Sequence, residues 1–353
     1  MDVTVNIFAN LSTGSMQTDT PIDVYSHPVL AIVKNPIYKA VQVTLLTIVV
    51  ILSLLGNTFS IVVINKARDI NTTTKIYMFS LAVCYICIDL SFGIPLIGST
   101  IVGDWPYGPG LCHWFCFGMV WFNTGSLCIL FVLNLDRLIA VTRPLHYDSI
   151  MPVWKAALMA SIAWIASLIF AILNAFLPYQ KAFYKPDYLF CFFDPYTDEI
   201  VDIIGMSNVL ILIVFPIIAV IVIYRKIYKV AKFHAAAIAA IDNRVQGQEA
   251  GDRKRMLDTK AAKAFLMVTV GFVLSWFPFI VGIGYEYVVN VEPPILPWWS
   301  ELCVIFGTLI NVIIYYWKNE AFRRPARKLM PRSWRRVAPE VGDSSVTEST
   351  RAN

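Results

Sequence analysis

Long uncharged apolar runs, separated by short polar stretches, set the pattern of this 353-residue chain. Runs 41–65, 111–135, 156–180, 203–224 and 264–285 contain no Asp, Glu, Lys or Arg. Run 76–103 carries only Asp89, and run 293–317 only Glu301. A helix rising about 1.5 Å per residue crosses the hydrocarbon layer in roughly 20 residues. The pattern therefore predicts seven spanning helices, an all-α membrane protein built as a seven-helix bundle. The expected organisation is an outer tail over 1–40, a bundle over 41–317, a short amphipathic helix over 318–330 and a disordered tail over 331–353. That last segment clusters Ser344, Ser345, Thr347, Ser349 and Thr350, which suits phosphorylation.

Composition agrees: 57% of the residues are hydrophobic and only 15% charged, which excludes an ordinary soluble domain. Charge then sets the orientation. Placing the N-terminus outside leaves only Lys34, Lys39, Lys181 and Lys185 of the 29 basic residues on that side. The rest fall inside or at inner edges, as positive-inside insertion requires. The net charge of +5 is thus a bias toward the membrane surface and its lipids, with no nucleic-acid partner implied. The first forty residues lack a basic start followed by an apolar stretch, so no cleaved signal peptide is expected. Asn10-Leu11-Ser12 is a glycosylation sequon on the expected outer side. Of seven cysteines, only Cys112 and Cys191 fall at the outer, oxidising face, where a disulfide would tie the second outer loop to the third span. No Cys or His spacing suggests a metal site, and no cofactor is expected.

Polar residues inside the spans narrow the class. Asp136-Arg137 ends the third apolar run, which places the pair at the inner membrane face. Gly56-Asn57 lies in span one, Ser80-Leu81-Ala82 in two, Cys112 and Asp136-Arg137-Leu138 in three, and Trp164 in four. Pro216 and Tyr224 lie in span five, Phe272 and Trp276-Phe277-Pro278 in six, and Asn311 and Tyr315 in seven, followed by Phe322-Arg323-Arg324. In order and spacing the chain resembles the rhodopsin-like (class A) G-protein-coupled receptors. The loop from Ala140 to Leu145 and the run from Lys260 to Lys263 look most like the biogenic-amine branch.

The resemblance implies a plasma-membrane receptor that binds an extracellular, small-molecule ligand and activates a heterotrimeric G protein. Arrestin and a receptor kinase would act at the tail. Arg137 is permanently charged and needs an acid, which Asp136 or Asp258 can supply. By resemblance, an Arg137–Asp258 pair clamps spans three and six at rest, while Asp258 also suits a helix N-terminus. Tyr224 and Tyr315 would swing toward Arg137, with Asn311 part of the same switch. Pro278 interrupts the hydrogen bonding of its helix, and Phe272 and Trp276 share a face below it. With Pro216 they form the expected lever.

Departures from the family pattern shape the remaining expectations. Tyr85 stands where the family carries a sodium-coordinating Asp beside positions matching Asn57, Ser126 and Asn311, so a standard sodium site is not expected. Asp89 lies one turn further out. Val312 replaces the usual proline of span seven. Met119 stands where amine receptors carry their ammonium-binding Asp, which leaves Glu301 as the only acid of span seven. The expected pocket is Met119, Asn123, Thr124, Asn208, Phe279, Ile280 and Glu301. Altered switch residues also fit a receptor that signals without ligand. A transporter would need more intramembrane charge than Asp89 and Glu301 supply. A retinal receptor would need a Lys where Ile305 stands. No nucleophile-and-base pair supports an enzyme.

Overall fold

Asn35 opens the first helix. Its side-chain oxygen accepts the Ile37 N–H at 2.9 Å, and Pro36 takes the first helical position, where a missing N–H costs nothing. The computed structural model describes residues 35–176, 182–186, 188–193, 214–241, 249–289 and 296–330. Helix α1 runs Pro36–Lys66 and α2 runs Thr72–Val102, with a π turn at Asp89–Gly93. Helix α3 runs Gly108–Thr142, followed by a single helical turn at Tyr147–Ile150 and by α4 at Val153–Phe176. Helices α5 (Phe215–Ile241), α6 (Glu249–Val289) and α7 (Leu296–Lys318) complete the bundle. Six of the described helices are long and apolar enough to cross a membrane, and residues 203–213 of the run leading into α5 lie outside the described residues.

At the end nearer Arg137 each helix extends past the apolar run that predicted it. Helix α3 continues to Thr142, so Asp136 and Arg137 sit within a helix and not at its end. Hydrocarbon sets the length of an apolar run, but backbone hydrogen bonding carries the helix on into the polar layer. After α7, Asn319 accepts the Phe322 N–H and starts α8 at Glu320–Leu329. Phe322 and Ala326 of α8 are buried, Arg324 is exposed and pairs with Glu320, and Arg323 is half-buried and donates to the Trp317 carbonyl at 3.1 Å.

Outward faces of the bundle are apolar, with Leu55, Phe277 and Trp317 each more than 60% exposed. Such a surface suits lipid. Between helices, small residues allow close approach. A Cβ on Gly56 would lie 3.1 Å from Val312 Cγ1, so the residue that replaces the usual proline packs straight onto α1. A Cβ on Gly307 would meet Ser275 Oγ at 2.5 Å, which brings α6 and α7 together.

At the opposite end from Arg137 lies a two-stranded antiparallel hairpin, β1 (Ala182–Lys185) with β2 (Phe190–Phe193), pairing Tyr184 with Cys191. The Cys112–Cys191 disulfide fastens β2 to α3. Leu189 adopts φ +59° in the turn, and its carbonyl accepts the Ser99 hydroxyl of α2. Phe190 and Cys191 are buried, so the strand is part of the core.

Candidate functional site

Asp136 and Arg137, five to six residues before the last residue of α3, lie at the centre of a polar network. Both are almost fully buried, at 0% and 3% exposure. Arg137 donates to Asp136 Oδ2 from Nη2 at 2.6 Å and from Nε at 3.1 Å. Its Nη2 also donates to the Thr74 hydroxyl of α2 at 2.6 Å. The other Asp136 oxygen accepts the Tyr147 hydroxyl at 2.6 Å, and Tyr147 in turn lies 2.6 Å from Thr73 Oγ1. One carboxylate thus joins α2, α3 and the following loop. Burial first, and the Asp136 charge second, push the Tyr147 hydroxyl above its ordinary pKa, so it stays a proton donor at neutral pH.

Arg137 also stacks over the Phe265 ring of α6 at 5.9 Å. Phe265 meets Tyr315 edge-on at 5.6 Å, and Tyr315 meets Phe322 of α8 at 5.7 Å. Tyr224 does reach this region, where its hydroxyl donates to Asn134 at 3.2 Å. Asp258 lies on α6 and Pro216 on α5, but their side chains are outside the described residues, and so is Asn208 entirely. The expected Arg137–Asp258 pair is therefore not described.

The middle of the bundle holds a second polar group. Thr308 Oγ1 lies 2.6 Å from Ser53 Oγ and 3.3 Å from Asp89 Oδ1. Asn57 donates to the carbonyls of Ser53 at 3.0 Å and Thr308 at 3.3 Å. Asp89 begins the π turn of α2 and faces α1 and α7. Ser126, an expected neighbour of the family's acid, instead donates to Asn123 of its own helix. Tyr85 is buried, and its hydroxyl has no partner among the described residues. Asn311 is buried on α7, one turn past Thr308.

Toward the hairpin end, rings contact one another in sequence. Phe272 and Trp276 are 6.3 Å apart, Trp276 and Phe279 5.6 Å, and Phe279 and Phe192 of β2 6.3 Å. Phe190 lies 5.8 Å from Phe115 and 6.1 Å from Phe92. The residues around Pro278 expected to form the lever are thereby connected to the loop, whereas Phe277 points outward. Of the expected pocket, Asn123 and Thr124 are buried, and Met119, Phe279 and Ile280 half-buried. Asn123 donates to the Met119 carbonyl at 2.8 Å, while the Thr124 hydroxyl has no partner among the described residues. Glu301 is 0% exposed, and neither of its oxygens has a partner among the described residues.

Sequence reasoning missed Thr74 and Tyr147, which a lone Thr and Tyr in polar segments do not announce. It also missed Phe190 and Phe192, although their position on either side of a disulfide cysteine was a usable signal. No group of three His, Cys, Asp or Glu side chains clusters among the described residues.

Comparison with known proteins follows the same lines. The family described as 7 transmembrane receptor (rhodopsin family) matches residues 56–315. Neuropeptide Y receptor type 2 of Cavia porcellus is 26% identical over 292 residues, covering 78% of this chain and 72% of the receptor. Trace amine-associated receptor 9 of Mus musculus is 24% identical over 322 residues, covering 83% and 85%. In fold, the chain is similar to the crystal structure of squid rhodopsin, with a TM-score of 0.76 at 20% identity over 86% of this chain and 89% of that one.

Proposed function

The chain belongs to the rhodopsin-like family of seven-transmembrane receptors, and from that premise we propose that Glu301 receives the cationic group of a small extracellular ligand. Like the family, it is a multi-pass plasma-membrane receptor and not an enzyme, coupling an extracellular ligand to a heterotrimeric G protein. The observation that carries the proposal is the Glu301 carboxyl, fully buried and with both oxygens unpartnered among the described residues. An ionised carboxylate buried without a counter-charge costs several kcal/mol. A ligand ammonium offsets that cost and adds charge-assisted hydrogen bonds.

Position supports the same reading. Glu301 lies in the second turn of α7, at the hairpin end, where Trp298 donates to Thr100 and Trp299 to Tyr38. The ring series from Phe192 through Phe279 to Trp276 supplies a route from that end to the lever. The pocket proposed is Glu301 with Met119, Asn123, Thr124, Phe279 and Ile280, and with Asn208 outside the described residues. The trace amine relative favours a cationic ligand over the peptide named by the other relative, since an orphaned acid asks for a cation and not for length. The basic residues concentrated after Arg225 support an N-terminus outside the cell, with the Arg137 end facing the G protein. Arrestin and a receptor kinase would engage the Ser- and Thr-bearing tail over 331–353.

The test is a panel of small amines read by G-protein dissociation in cells. An amine that activates the intact receptor is expected to need about a hundredfold higher concentration with Glu301→Gln, the loss of a charged hydrogen-bond partner. Unchanged potency in Glu301→Gln would remove this acid from the ligand site.

A further inference from the structure

Asn134 belongs to none of the motifs described above, yet three helices meet on its side chain. It lies on α3 one turn before Arg137 and is 1% exposed, and its partner Thr269 on α6 is 2% exposed. Asn134 Nδ2 donates to Thr269 Oγ1 and to the Leu130 carbonyl of its own helix, both at 2.8 Å. The Thr269 hydroxyl proton goes to the Phe265 carbonyl at 2.9 Å. Asn134 Oδ1 accepts the Tyr224 hydroxyl of α5 at 3.2 Å. Both amide N–H groups and the amide oxygen are therefore matched.

The surroundings make this contact costly to lose. Leu127, Leu130, Phe131, Val220 and Ile223 line a crevice beside it and provide no side-chain acceptor. An amide N–H that loses Thr269 stays buried and unpaired, which costs more than the bond was worth in water. Phe265, whose carbonyl Thr269 uses, is also the ring under Arg137. At this level α6 therefore presents two consecutive turns to α3, and a movement of α6 away from Arg137 parts Asn134 from Thr269.

We propose that Asn134, Thr269 and Tyr224 form a resting-state latch that holds α5 and α6 against α3. The latch rests on the receptor reading only for what its release does, namely admit the G protein. A contact made in the closed state alone stabilises that state alone, so removing it shifts the population toward the open one.

Two readouts test it. Spin labels at Lys66→Cys and Lys263→Cys, both exposed positions, report the distance from α1 to α6 in purified receptor. Basal G-protein activation per receptor at the cell surface reports output. Thr269→Val keeps the shape but cannot accept the Asn134 N–H, and it should raise the open population and basal output at least about fivefold, because the closed state then holds a buried, unpaired amide N–H. Thr269→Ser keeps the hydroxyl and should match the parent. Asn134→Leu also removes the Tyr224 bond and should raise both readouts at least as far, while adding Thr269→Val to it should change little, since the shared bond is already gone. A longer distance without raised output would support the latch and count against the coupling reading. An unchanged distance distribution in well-expressed Thr269→Val, or full additivity in the double variant, would overturn the latch.

Discussion

Arg137→Ala is expected to abolish ligand-driven G-protein activation and to destabilise the receptor by about 3–5 kcal/mol, the cost of stripping one partner from a buried ion pair. The effect is large because Asp136 is 0% exposed and accepts two of its three described hydrogen bonds from that one guanidinium. With Arg137 gone, among the described residues only the Tyr147 hydroxyl still serves the carboxylate. Adding Asp136→Asn should restore most of the lost surface expression, since a neutral amide no longer needs the charge. It should not restore signalling, because the guanidinium itself is absent. Surface immunolabelling and G-protein dissociation, measured on the same cells, separate the two effects. Full expression of Arg137→Ala alone would show that Asp136 needs no guanidinium to stay buried, taking another cation or a proton in its place.

Cys191→Ser is the second change with a large expected effect. The bond joins residues 79 apart in sequence and fixes β2 across the hairpin end of α3. Cross-links of this kind stabilise by about 2–4 kcal/mol. Beyond stability, β2 carries Phe190 onto Phe115 and Phe192 onto Phe279, so its release parts the loop from the rings of α3 and α6. The expected result is a lower inactivation temperature together with loss of the ligand response. Cys112→Ser and the double variant should match Cys191→Ser, since all three remove one bond. Thermal inactivation of ligand binding in the presence and absence of reductant provides an independent check. A double variant markedly worse than either single one would point to a mispaired thiol.

Much of the fold was legible because lipid makes a crude demand. A run of some twenty residues without charge has few soluble explanations, and the Asp136-Arg137, Trp276-x-Pro278 and Asn311-x-x-x-Tyr315 spacings are local. What the runs do not carry is rotation. A helix apolar on every side gives no stripe to say which face meets a neighbour. Thr74 against Arg137, Asn134 against Thr269 and Thr308 against Asp89 are pairings between helices far apart in sequence, and they depend on that rotation. The hairpin was hidden for another reason. Two four-residue strands in a loop lie below what alternation can reveal, and β2 reads simply as four aromatic or sulfur-bearing residues.

The outward apolar surface bears on the thermodynamics of the whole receptor. Residues such as Leu55, Phe277 and Trp317 face hydrocarbon in the folded state and still do so when the helices come apart in a bilayer. Unfolding there wets little new oil-like surface. The heat-capacity increment that bends the stability curve of a soluble protein is therefore largely missing. Close contacts such as Gly56 on Val312, and buried polar bonds such as those of Asn134, must supply the cohesion that water supplies elsewhere.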